Sequence, residues 1–180
     1  MSAMGNPDDV RPTPAAELEV LLEQWVLDDG NYPQFKARRT KRFALQLDLA
    51  DSHRLRPTPH EPIGACRTGG VATYEITADV VHHTAVEGLA EDDHAVVLDF
   101  GPRAYYSGHD PAIARLRVGD RVAFKATLLV DPYDYVEMLA PLEGFPALVH
   151  TWSVDRLQAD HPAGSRDGWQ DQPRTSENRR

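Results

Sequence analysis

Three histidines fall on the apolar phase of strand-like alternations, where inward imidazoles can bind a polar ligand or a metal, or move a proton. His82 shares the phase of Tyr74, Ile76 and Val80, His94 that of Val96, Leu98 and Phe100, and His150 that of Leu148 and Trp152. The acidic stretch 87–93, with Gly88, reads as a hairpin loop and would set His82 beside His94. Together with Tyr74 and Trp152, the three histidines are the candidate lining for a small ligand. Zinc wants three or four ligands in tetrahedral array, and only two can be placed, so neither a metal nor a cofactor is expected. The ordinary alternative is a set of hydrogen-bonded core histidines.

A second group mixes rings with acids. Tyr105-Tyr106 and the run Asp131-Pro132-Tyr133-Asp134-Tyr135, followed by Glu137, place tyrosines near strand ends. Single-strand binders interleave rings with Lys and Arg to meet phosphates, and here the neighbours are carboxylates. An acidic, tyrosine-rich rim suits a protein surface, because tyrosine supplies large contact area at low entropic cost. The bland alternative is that these rings cover the end of the fold.

Basic residues concentrate in Lys36, Arg38, Arg39, Lys41 and Arg42, with Arg54 and Arg56 further on. Such a stripe can hold an anion or an acidic partner, although a charge run is usually a solvated loop. The single cysteine, Cys66, stands next to Arg67, which would favour a thiolate, but a catalytic thiol also needs a base nearby. Gly69-Gly70 lacks the further glycines and the lysine of a phosphate cradle and reads as a turn. No dinucleotide fingerprint, nucleophile elbow or His-Glu-x-x-His pair occurs, and no catalytic residue is assigned.

The elements that must position these groups are mostly strands. Leu18, Leu21, Leu22 and Trp25 fall at helical spacing, with Thr13 to cap, Pro14 at the first turn and Gly30 as a stop, which predicts a helix over 15–28. Phe43, Leu45, Leu47 and Leu49 alternate with polar residues, as do Tyr74 to Val80, Val96 to Phe100 and Val122 to Val130. Shorter strands are expected over 103–107 and 147–155, and a helical turn over 110–117. Residues 51–70, rich in Pro and Gly, read as a long connection.

At 180 residues the chain suits one domain, with 19 Lys and Arg against 28 Asp and Glu giving a net charge of −9. Residues 31–70 carry eight bases against three acids, so the acidity lies elsewhere. No apolar run reaches a membrane span and no signal-peptide pattern opens the chain, so a cytoplasmic protein without membrane contact is expected. Residues 1–13 read as a flexible lead-in, 14–157 as one β-barrel domain and 158–180 as a disordered tail.

Five strand candidates between 71 and 156, a helical turn between the third and fourth, and the stretch Leu116-Arg117-Val118-Gly119-Asp120-Arg121-Val122 before a strand resemble the OB fold, a small Greek-key barrel. The resemblance spans about half the chain and carries over no catalytic residue. It implies a mainly β, OB-like antiparallel barrel of five to six strands with an N-terminal helix. The leading functional expectation is a non-catalytic binding module that engages a protein partner through Tyr105, Tyr106, Asp131, Tyr133, Asp134 and Tyr135. A small-molecule site or small enzyme built on His82, His94, His150, Tyr74 and Trp152 is the second. Single-stranded nucleic acid on the 36–42 segment, disfavoured by the overall charge, is the third.

Overall fold

Every long alternation in the sequence is a strand. The computed structural model describes residues 17–23, 26, 28, 35–49, 55–86, 93–131 and 133–157, so the expected lead-in and tail lie outside the described residues. The strands are β1 (Arg39–Asp48), β2 (Arg56–Pro57), β3 (Gly64–Arg67), β4 (Thr73–Ala85), β5 (His94–Asp99), β6 (Arg103–Gly108), β7 (Arg121–Asp131) and β8 (His150–Val154). They form an eight-stranded sheet in the order β2-β7-β1-β6-β5-β4-β3, with β8 on β1 and a further pairing of β7 with β4. All pairs are antiparallel except β1 with β6, which meet in parallel at Gln46 and Tyr105.

The strand count exceeds the expected five to six because β2 and β3 lie inside the supposed long connection 51–70. Two and four residues are too few to display a period, and only pairing with β7 and β4 reveals them. Between β6 and β7, the expected helical turn is a 3-10 turn, Ile113–Arg115. Gly119, at φ +96°, then lets the chain reverse into β7, while the Asp120 carboxylate accepts from Arg117 N–H at 2.8 Å.

The predicted helix over 15–28 is not seen; Trp25 lies outside the described residues. Leu21 instead makes an isolated parallel bridge to Leu129 of β7, where its N–H donates to Leu128 O at 2.8 Å and Val130 N–H donates to its carbonyl at 2.9 Å. Leu18, Val20 and Leu22 pack on the core, a period of two. Residues four apart share a face in a helix and in a strand alike, so Leu18 and Leu22 satisfied both readings. The tertiary partner decided between them.

Two apolar clusters lie on opposite faces of the sheet. The first gathers Phe43, Leu45 and Leu47 of β1 with Tyr74, Ile76, Val96, Leu98, Phe124 and Leu128. The second takes the other phase, Ala44, Ala95, Val97 and Tyr105, and is covered by Tyr135, Leu139 and Leu148 from the segment after β7. β1, β5 and β6 are therefore buried on both faces, which explains the near-continuous apolar run Ala95-Val96-Val97-Leu98.

Candidate functional site

The covering segment begins at Asp131, a buried carboxylate at the end of β7. Its Oδ1 accepts the N–H groups of Tyr133 (2.8 Å) and Asp134 (2.9 Å), and its Oδ2 accepts Tyr135 N–H and the Tyr105 hydroxyl, both at 2.8 Å. A carboxylate that gathers the free N–H groups at the start of a helical turn does the work of a cap. The turn that follows, Tyr135–Leu139, is π-helical, closed by Ala140 N–H on Tyr135 O at 2.7 Å. Tyr135 hydroxyl donates to Pro146 O (2.8 Å) and accepts from Leu148 N–H (3.0 Å), tying the far end of the segment to its start.

Three of the six expected partner-binding residues are therefore internal. Tyr105, Asp131 and Tyr135 are buried and spend their polar atoms on one another and on backbone, so they cannot touch a partner. Burial and the nearby Asp131 charge push the Tyr105 hydroxyl far above the usual tyrosine range, which keeps it a donor. Tyr106 is half-buried and Tyr133 likewise, leaving Asp134 as the expected rim residue that is exposed. What sequence reading missed is the outward side of the same turn: Val136 is 57% exposed and Met138 36%, next to Glu137. Burial and the charges of Asp131, Glu137 and Glu23 raise the Asp134 carboxyl, the mark of acids crowded together. The signal in the sequence was Asp131-Pro132, an Asp-Pro turn start, which points to a capping role for the aspartate.

The histidines do not converge. A β-bulge between Val80 and His82 inserts one residue, so Val80 opposes Leu98 but His82 opposes Val97 and His83 opposes Val96. The phase flips at that point. His82 lies on the second face, its ring 4.8 Å from that of Phe145, while His83 takes the place expected for it beside His94, with ring centroids 5.0 Å apart. His82 Nε2, His83 Nε2 and His94 Nδ1 are buried without a hydrogen-bond partner. Burial holds His82 and His83 below the usual histidine range; His94 and His82 charges add to it for His83, and a backbone hydrogen bond at Leu116 opposes it.

His150 is exposed on β8, and Trp152 packs on Phe43, so neither joins the other two histidines. Tyr74 is a core residue whose hydroxyl accepts from Glu19 N–H at 2.7 Å and donates to Glu19 O at 3.2 Å. Of the five residues of the expected small-molecule lining, His150 and Trp152 are ring neighbours at 6.1 Å, while His82, on the opposite face of the sheet, packs on Phe145 and His94 stacks on His83. Among the described residues, no group of three or more His, Cys, Asp or Glu comes together to hold a metal.

An open depression of about 380 Å³ lies elsewhere, lined by Pro57, Pro59, Asp79 and Arg121 among others. Arg121 grips both Asp79 oxygens, at 2.7 and 3.0 Å, and hydrogen-bonds Glu61 O at 3.1 Å, so its fork is occupied. The hydrogen bond from Arg121 holds the Asp79 carboxyl below the usual range. Cys66 is exposed on β3, and Arg67 pairs with Glu19.

The basic segment runs through a turn into a strand: Lys36 and Arg38 precede β1, which begins at Arg39. Arg39, Lys41 and Arg42 belong to β1 and pair with β8, and Lys36, Arg38, Arg39 and Arg42 are exposed. Arg56 forms an ion pair with Glu61 at 2.9 Å, and Arg54 lies outside the described residues. Among the described residues, no helix is long and apolar enough to cross a membrane. Compared with protein-family models, curated proteins and solved structures, the chain matches none.

Proposed function

We propose that this chain is a non-catalytic binding module that engages a basic protein surface through the outward side of the turn 133–140. The observation that carries this reading is the exposure of Val136 and Met138 on either side of Glu137, with the exposed Asp134 at the start of the turn, on a segment held from behind by Asp131. Scattered apolar residues are normal on a surface, but two that flank an exposed acid on one short turn give a partner an anchor and a charge to match. The crowding of Asp134 with Glu137 and Glu23 is relieved by an incoming Lys or Arg. Because the turn is already ordered, little entropy is lost on docking.

An OB-like barrel is the architecture that best accommodates this surface. Supporting it is the course of the pairings, from β1 to β6, β5, β4, β7 and back to β1, with a 3-10 turn between β6 and β7. In such a barrel the turn 133–140 follows the strand that closes the circuit and lies at its rim.

The test is capture with the full chain immobilised, cross-linked in extract of the cells that make it. Wild type is expected to retain a basic protein that Asp134→Lys/Glu137→Lys loses by tenfold or more, with Val136→Ser/Met138→Ser intermediate. Identical capture by wild type and the charge-reversed chain overturns the proposal.

A further inference from the structure

The basic start of β1 takes no part in the acidic face, and the fold sets it among aromatic rings. In the β1–β8 ladder Arg39 opposes Val154, Lys41 opposes Trp152 and Phe43 opposes His150. Directly opposed residues point to the same side of a sheet. That side is the core face of β1, which is apolar at Phe43, Leu45 and Leu47 and continues outward as Lys41 and Arg39. Trp152 lies almost parallel to Phe43, with centroids 5.7 Å apart and 19° between planes, and its Nε1–H donates to Phe43 O at 3.1 Å. His150 meets Trp152 edge-on at 6.1 Å, and Lys41 Nζ lies 5.8 Å from the centre of the Phe35 ring. Trp152 and Phe35 are half-buried; Arg39, Arg38, Lys36 and His150 are exposed.

We infer that this strip binds single-stranded nucleic acid, with bases stacking on Trp152 and Phe35 and phosphates meeting Arg38, Arg39 and Lys36. Stacking tolerates any base, because each has a π face, and the cations supply the backbone attraction. Duplex DNA is excluded by the same geometry: its bases are already stacked, and a wide polyanion brings the acidic body within range of further phosphates. At ordinary ionic strength charges beyond about 10 Å are screened, so a short strand confined to the strip feels mainly the local bases despite the net charge of −9.

The probe is a ten-residue oligothymidylate titrated into the full chain, followed by anisotropy and tryptophan fluorescence. With about three phosphates neutralised, affinity should fall roughly 15-fold between about 50 and 200 mM salt. Arg39→Glu should weaken binding about tenfold and flatten the salt slope by about one. Trp152→Leu should lose at least about fivefold, with Trp152→Phe keeping most of the binding, and thermal melts establish that each variant is folded. The inference is overturned by no binding at about 50 mM salt, by equal binding of inorganic polyphosphate, which has no bases, or by salt-sensitive self-association in place of oligonucleotide binding.

Discussion

In the segment after β7 the rings of Tyr135 and Phe145 pack inward around the buried Asp131 while Asp134 and Glu137 are exposed, whereas at the start of β1 rings and charges share one half-exposed face. Both stretches place aromatic residues among ionisable ones, so their sequences look alike in kind. The difference lies in what each polar tip can reach. Tyr105 and Tyr135 find a buried carboxylate and backbone groups, so the whole side chain can sink. Trp152 finds one carbonyl at the margin and remains half-buried. A ring with a fully satisfied polar tip is drawn into the fold, and one held at the margin keeps part of its face exposed.

The sharpest way to break this contrast is Asp131→Ala. It strands the Tyr105 hydroxyl and three N–H groups, so it should destabilise the protein by about 3 kcal/mol or more in urea unfolding. Trp152→Ala, at the other region, should cost about 2 kcal/mol through lost packing on Phe43. Equal losses would mean that the Asp131 contacts are incidental.

Acid probes the covered face more gently. The folded pKa values of His82 and His83 lie below the unfolded value of 6.5, so the unfolded chain takes up their protons first. Stability is full above that value and falls as pH drops through 6.5 toward the lower folded pKa values. Melting temperatures between about pH 7.5 and 5.5 should fall, and His83→Asn should lessen the slope. Because His82 packs on Phe145, hydrogen exchange in 142–149 should rise before exchange in the β1–β8 ladder. The smallest effect expected is from Asp134→Asn, which removes a crowded charge and should stabilise by a few tenths of a kcal/mol at neutral pH, once solvent screening is allowed for. A loss of stability there would show that Asp134 is held by attraction.

Much of the sheet was legible because alternation survives wherever one face is buried and the other is not. Val122 to Val130 and Tyr74 to Val80 could be read directly, and their burial alternates in register except at the buried Ala123. The pairing of His82 with His94 was misread at a single residue. A bulge adds one residue without changing composition, so no pattern in His82-His83 announces which imidazole faces His94. Of the acidic, tyrosine-rich stretch the sequence could not say which side chains are buried, since a buried Asp131 and an exposed Asp134 look the same in one dimension.

By itself the sequence determined a mainly β chain with strands at the long alternations, a Gly-Asp turn before β7 and an acidic body with one basic stretch. These are local matters, settled by side-chain period and by which residues tolerate a turn. Only the tertiary structure decided that Leu21 bridges to β7, that the Asp131 carboxylate is buried against the Tyr105 hydroxyl, and that Lys41 comes to stand across from Trp152, 111 positions away in the chain. The first and the last depend on strand partners distant in sequence, and Asp131, whose capped N–H groups are local, is fixed in the interior by the distant Tyr105 hydroxyl.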